Sequence, residues 1–161
     1  MSEYHRPIMV EEVLEGLNIR PGGIYFDGTA GGGGHSFAIL ASDPTVLLVA
    51  TDKDEDAIRE VTERLSPYAG RFKLYRSDFK NYQEVFSDAG VGQIDGYLLD
   101  LGISSHQIDT SSRGFAYKSD DAPLDMRMDN RASLTAETVV NEYSEDSRLR
   151  ILRDYGAATF A

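Results

Sequence analysis

The sequence predicts an α/β domain with a mainly parallel sheet, followed by the start of a helical subdomain. Three observations carry this reading. Short apolar runs alternate with segments of helical period between residues 10 and 101. Each run ends at or beside an aspartate: Asp27, Asp52, Asp78 and Asp100. The first run also enters a glycine-rich turn that leads into an apolar segment, as a strand-to-helix connection does.

In order, Pro7 precedes a segment in which Val10, Val13, Leu14 and Leu17 recur at the spacing of an amphipathic helix, closed by Arg20-Pro21-Gly22-Gly23. Ile24 to Asp27 reads as the first strand. The turn Gly28-Thr29-Ala30-Gly31-Gly32-Gly33-Gly34-His35-Ser36 follows, and Phe37, Ile39 and Leu40 belong to the helix after it. After Asp43-Pro44, the run Val46-Leu47-Leu48-Val49-Ala50 is apolar throughout, as expected of a parallel strand covered on both faces, and ends at Thr51-Asp52. Asp54 is placed to cap a helix whose Ile58, Val61 and Leu65 share one face. A third strand spans residues 72–75 and ends near Asp78-Phe79; Tyr82, Val85 and Phe86 mark a short helix that Gly90 to Gly92 break. The fourth strand is read over residues 94–101.

Beyond Leu101 the alternation stops. Residues 102–129 are mostly polar with no sustained period, long for a structureless loop and therefore expected to be functional. Helical pattern returns with Thr135 as N-cap and Ala136, Val139, Val140 and Tyr143 on one face, then from Ser144 with Leu149, Leu152 and Tyr155.

A length of 161 residues with 41% hydrophobic residues suits one domain with a real core. The absence of cysteine excludes disulfides and thiolate chemistry. No run approaches membrane-spanning length and the first ten residues lack a secretory pattern, so a soluble cytoplasmic protein with no membrane partner is expected. Twenty-seven acidic against 16 basic residues give a net charge of -11. Such a chain has no general attraction for nucleic acid, so any nucleic-acid substrate must meet a local basic patch or another chain segment.

Ligands of open α/β sheets bind outside the carboxyl ends of the strands, which makes the four terminal acids the candidate site. Gly28, Gly31, Gly32, Gly33 and Gly34 let the backbone approach a ligand, and a helix start offers it free N–H groups. Asp52, about 25 residues beyond Asp27, suits the two ribose hydroxyls of an adenosine-type ligand. Phe79 suits a purine face, while Asp78 beside it could equally only cap a helix. Asp27 either fixes the turn by accepting its N–H groups or contacts a cationic part of the ligand. His35 offers its backbone amide, and its ring has a structural or a chemical use.

A dinucleotide fingerprint fits poorly, because Gly31 and Gly33 as its first two glycines put Ser36 in the third place. An acid at Asp27 would also face a pyrophosphate with like charge, whereas it suits an amine or a sulfonium. That comparison favours S-adenosyl-L-methionine over a nicotinamide cofactor. Asp100, with Ser104, Ser105 and Gln107 following, stands where a transferable methyl would be presented; a carboxylate there can hold a substrate amine for in-line displacement. His5 and His106 form no metal-ligand spacing, and no metal is expected. In residues 123–129 Met126 and Met128 alternate with Arg127 and Asp129, which fits a segment with one buried and one partner-facing side, or a surface loop with core anchors.

Five segments together resemble the MraW/RsmH family of bacterial 16S ribosomal RNA cytosine-N4 methyltransferases. They are His5-Arg6-Pro7-Ile8-Met9, Asp27 through Ser36, Asp100-Leu101-Gly102-Ile103-Ser104-Ser105-His106-Gln107-Ile108-Asp109, Arg113-Gly114-Phe115 and Pro123-Leu124-Asp125-Met126-Arg127-Met128-Asp129. The resemblance implies a Rossmann-like S-adenosylmethionine-dependent methyltransferase sheet over residues 1–110 and the start of a helical insertion over 111–161. It implies cofactor contacts at Gly33, Gly34, His35, Asp52, Phe79, Asp100 and Gln107, to which the reading of the turn adds Asp27 and Gly31. Asp100, with Ser104 and Ser105, is the implied catalytic group, although the motif lacks the Pro-Pro-Tyr/Phe form of many amino-methyltransferases. The substrate that the resemblance implies is the N4 amine of a cytidine in small-subunit ribosomal RNA, free or in the ribosomal subunit.

Family members are about twice this long, so the sheet is expected to be incomplete here. The tail Tyr155-Gly156-Ala157-Ala158-Thr159-Phe160-Ala161 also departs from the two glutamates that usually follow Tyr-Gly. The alternative expectation is therefore a truncated, catalytically silent fragment that binds cofactor or a partner, including a homo-oligomer that completes the sheet.

Overall fold

The computed structural model describes residues 7–118 and 121–156. His5-Arg6 of the first motif and residues 157–161 of the tail lie outside them. The chain divides into two compact units, residues 1–106 and 107–161.

In the first unit, helix α1 (Val10–Leu17) precedes strand β1 (Ile24–Asp27), α2 (Gly34–Ser42), β2 (Leu47–Asp52), α3 (Glu55–Arg64), β3 (Phe72–Arg76), α4 (Tyr82–Ala89) and β4 (Gly96–Leu98). The strands form one sheet in the order β3-β2-β1-β4, and every pairing is parallel. This parallel sheet flanked by helices has the Rossmann-like form expected from the resemblance, with only its first four strands present among the described residues.

Alternation along the strands explains the layers. Tyr25, Leu48 and Ala50 face one side, where they meet Ile39 and Leu40 of α2 and Val61 of α3, with Leu14 and Leu17 of α1 at the margin. Phe26 and Val49 face the other and meet Val85 and Ala89 of α4. Burial of each large side chain in these layers stabilises by about 1.5–3 kcal/mol. Tyr25 is fully buried, and its hydroxyl accepts the Arg20 amide at 2.9 Å, which satisfies its polar end. Asp54 caps α3 by accepting the Asp56 amide at 3.0 Å.

The fourth strand is shorter than expected, residues 96–98 rather than 94–101. The cause lies in its neighbour. Before the strand, Asp95 already bonds Ile24 by main chain and carboxylate. After it, β1 has turned away, and the Asp100 amide finds the Thr29 hydroxyl instead of a strand partner. Among the described residues β4 pairs on one edge alone.

Helix α5 (Ser105–Asp109) runs into the second unit, which continues to α6 (Ala136–Glu142) and α7 (Glu145–Tyr155). Thr135 and Ser144 are the N-caps, accepting the amides of Thr138 and Ser147. The described parts of the polar stretch, residues 102–118 and 121–129, are ordered by their own motifs. The Arg113 guanidinium donates to the carbonyls of Arg127 and Met128 at 3.0 and 3.2 Å, and the Met126 amide donates back to the Arg113 carbonyl. Arg127 grips Asp125 through two parallel bonds of 2.9 and 2.7 Å, and the carbonyls of Asp125 and Leu124 accept the first amides of α6. The alternation at residues 126–129 does not sort core from surface, because Met126 is 47% exposed while Arg127 and Asp129 are half-buried.

Candidate functional site

All four strands run the same way, so their carboxyl ends share one rim. The sequence order moves outward from β1 to β3 and then returns to β4, which puts the switch point of the sheet between β1 and β4.

The glycine turn is built on Asp27. This side chain is 1% exposed; Oδ1 accepts the Thr29 amide at 3.1 Å and Oδ2 accepts the Ser36 hydroxyl at 2.6 Å. Of the two roles open to it, fixing the turn is the one its hydrogen bonds display. Burial raises its pKa, and the bonds from Ser36 and Thr29 only partly offset that. Thr51 stitches the turn to β2, its carbonyl accepting the Ala30 amide and its hydroxyl donating to the Gly28 carbonyl at 3.1 Å. Asp52 completes the join, with Oδ2 accepting the Gly31 amide at 2.8 Å and Oδ1 the Asp54 amide at 2.9 Å. Burial raises the Asp52 pKa as well, against those two amides.

The Gly31 amide is thus engaged by Asp52. Further along the turn, the amides of Gly34, His35 and Ser36 open α2 and have no acceptor among the described residues. The His35 ring is occupied elsewhere: Nε2 lies 2.8 Å from the Ile8 carbonyl, an acceptor only, so Nε2 carries the proton and donates. Pro7 packs on Gly34 so closely that a Cβ there would come within 2.6 Å of its ring. The imidazole holds the N-terminal segment against the turn, while the backbone of His35 stays available to a ligand.

Gly28 shows why the turn must begin with glycine. A Cβ at this position would lie 2.4 Å from Leu99 and 2.9 Å from the Cβ of Phe79, so the turn threads between the ends of β3 and β4. Phe79 is half-buried on the α4 side of the sheet. Asp78 beside it caps the following turn, accepting the Lys80 amide at 3.1 Å, with Lys53 and Lys80 as ion-pair partners. Asp100 is exposed, and its carboxylate has no partner among the described residues. Its amide donates to Thr29 Oγ1 at 2.6 Å. Ser104 and Ser105 are half-buried just beyond it, and His106 pairs with Asp56 of α3 at 3.5 Å. Gln107, described with the second unit, is buried on α5.

Asp27, Gly31, Asp52 and Asp100 therefore belong to one hydrogen-bonded network at the switch point. The sequence reading did not single out Thr29 or Thr51 as the joints of this network. Their signal was a threonine within two residues of each of the first two strand-end acids, which propensity alone does not separate from an ordinary β-branched residue. Among the described residues, no group of three or more His, Asp or Glu side chains is placed to hold a metal ion, and no helix is long and apolar enough to cross a membrane.

The family model described as the MraW methylase family matches residues 2–161. The chain belongs to this family. Its relatives include the ribosomal RNA small subunit methyltransferase H 2 of Agathobacter rectalis, 49% identical over 163 residues that cover 100% of this chain and 52% of the relative. The ribosomal RNA small subunit methyltransferase H of Symbiobacterium thermophilum is 45% identical over 162 residues, covering 100% of this chain and 51% of the relative. The chain spans about half the length of these curated relatives. Among solved structures, the C-terminal domain of precorrin-6Y C5,15-methyltransferase from Rhodobacter capsulatus superposes with a TM-score of 0.51 at 15% identity, covering 68% of this chain and 56% of that one. At that identity the match shows a shared fold alone.

Proposed function

We propose that this chain carries the cofactor-binding half of an S-adenosylmethionine-dependent methyltransferase acting on the exocyclic N4 amine of a cytidine in small-subunit ribosomal RNA. The observation that carries the reading is the match to the MraW methylase family across residues 2–161, joined to relatives named for methylation of that RNA.

The residues present fit the cofactor. Gly34 and His35, with Gly33 before them, present main-chain donors without a Cβ at either glycine, which suits the carboxylate of an amino-acid moiety. Both Asp52 oxygens keep a second lone pair after accepting one amide each, enough for two ribose hydroxyls. Phe79 offers a ring edge or face to the adenine, and Gln107 is assigned by its motif. Asp27 and Gly31 contribute through the shape of the turn.

When bound, S-adenosylmethionine supplies an electrophilic methyl group. Asp100, with a carboxylate that nothing engages among the described residues, accepts an N–H of the target amine and orients its lone pair, and Ser104 and Ser105 add hydrogen bonds to the base. The RNA is met by a local basic surface or by further chain segments, since the net charge of -11 opposes general attraction.

Calorimetry with S-adenosylmethionine, followed by mass analysis of small-subunit RNA incubated with the protein, tests the reading. Binding together with a methylated cytidine supports it, and no binding overturns it. Binding without transfer supports instead a silent cofactor- or partner-binding role, with which the pairing of β4 on one edge alone among the described residues and the exposure of Tyr97 (68%) and Leu101 (69%) agree.

A further inference from the structure

We infer that Thr29 is a positioning residue for Asp100, and that its hydroxyl, rather than a strand ladder, sets where the β4 end stands relative to the glycine turn. The inference rests on the proposed role of Asp100 and on its reading as a cofactor contact as well as the group that orients the target amine.

Past Leu98, the main chain of β4 has lost its ladder to β1. The last main-chain bond across the switch point is that from the Gly28 amide to the Leu98 carbonyl at 3.0 Å. Two residues later the Asp100 amide donates to Thr29 Oγ1 at 2.6 Å, across a sequence separation of 71 residues. No other hydrogen bond ties Asp100 to the molecule among the described residues. Leu101, Gly102 and Ile103 after it are all exposed. A carboxylate on such a segment would sample many positions without an anchor.

Thr29 is a sound anchor because it is itself doubly fixed. Its amide donates to Asp27, which is buried and also holds Ser36 at the start of α2. The neighbouring Gly28 carbonyl accepts the Thr51 hydroxyl from β2. The path from Asp100 to the buried acid therefore passes through one side chain. The threonine also explains a pattern that strand propensity leaves open: a β-branched residue placed directly after Asp27-Gly28 has few rotamers, so its oxygen is held ready for the Asp100 amide. The bond joins the two sides of the switch point, where a methyl donor and its acceptor would meet.

The test compares wild type with Thr29→Val, which keeps the shape and removes the acceptor, and Thr29→Ser, which keeps the acceptor. Thr29→Ala is made alongside in case valine does not fold. S-adenosylmethionine affinity is measured by calorimetry, and the Asp100 amide is followed by nuclear magnetic resonance and hydrogen exchange. The expected result is a loss of affinity of about threefold to tenfold in Thr29→Val and Thr29→Ala, with faster exchange of the Asp100 amide and recovery of both in Thr29→Ser. In an Asp100→Ala background the same Thr29 change should have little further effect on affinity, because residues acting through one another are non-additive. Wild-type affinity in the valine and alanine variants, or full additivity with Asp100→Ala, overturns the inference while leaving the proposed function standing. Failure of wild type to bind the cofactor overturns the proposed function itself, and the positioning role falls with it.

Discussion

The two units of this chain are held together by different forces. Residues 7–106 enclose side chains such as Tyr25, Ile39, Leu40, Leu48 and Val61 at 1% exposure or less, and their polar groups ride on that core. From residue 107 to 156 no apolar side chain is buried among the described residues: Val140 is 48% exposed, Leu152 51% and Tyr155 85%. There the order comes from arginines gripping carbonyls and the carboxylates of Asp125 and Asp129. The lesson is that the glycine turn is a rigid fixture, set on buried surface, while the second unit is a polar framework whose described apolar residues are half-buried or exposed.

The largest effect that sharpens this contrast is a cavity in the first unit. Leu40→Ala, at a fully buried position, is expected to remove about 2–5 kcal/mol of stability in urea denaturation. Leu152→Ala, at a half-exposed position of α7, should stay within about 0.5 kcal/mol. Equal losses would break the comparison by showing that α7 buries its apolar face.

Next in size is a steric test of the turn. Gly28→Ala places a methyl group against Leu99 and Phe79 and should cost about 1–3 kcal/mol, with a fall in S-adenosylmethionine affinity because the ends of β3 and β4 are pushed apart. In the second unit Gly114 has the corresponding place: its φ is +74° and a Cβ would lie 2.3 Å from the Pro123 carbonyl. Gly114→Ala should disturb the clasp between residues 113 and 123–127 and leave cofactor affinity unchanged. A reversal of the two affinity results would contradict the division.

Much of the first unit was legible because its signals are local. The strand runs, the aspartate at each strand end and the glycine turn all lie within a few residues of the structure they specify. The fourth strand was overestimated, since its length is set by where β1 turns away, 71 residues earlier in the chain. Thr29 and Thr51 were missed for the same reason. The motif Arg113-Gly114-Phe115 was visible as a motif, but an arginine that binds main-chain carbonyls leaves no pattern at its partner, so its embrace of residues 127 and 128 could not be read from the sequence. The alternation at Met126 to Asp129 misled because guanidinium and carboxylate bury each other there without a core.

A smaller effect probes that embrace directly. Arg127→Lys keeps the charge but loses the planar fork that meets both oxygens of Asp125. It should cost about 0.5–1.5 kcal/mol locally, read as faster hydrogen exchange at the Ala136 and Glu137 amides, which the Asp125 and Leu124 carbonyls accept. The first unit should show no change. Unaltered exchange at those amides would mean that α6 is started by its Thr135 cap alone.

The subtlest contrast is one of sign. Asp27 and Asp52 have raised pKa values, chiefly through burial, so the folded first unit holds their protons more tightly than the unfolded chain does. Over the window from the ordinary carboxylate value up to the raised one, the unfolded state has already released those protons. Stability from this source therefore falls as pH rises above about 4, then levels off once the folded-state value is passed. Asp125 is shifted the other way, first by its hydrogen bond with Arg127. Its contribution is complete above the ordinary carboxylate value and is lost as pH falls through the lowered one. Denaturant unfolding followed across pH should thus show a falling limb that Asp27→Asn flattens, and an acid-side loss in the second unit that Asp125→Asn removes. If both substitutions flattened the same limb, the buried acids and the clasped acid would be titrating in one environment, and the contrast between a core-built unit and an arginine-built unit would not hold.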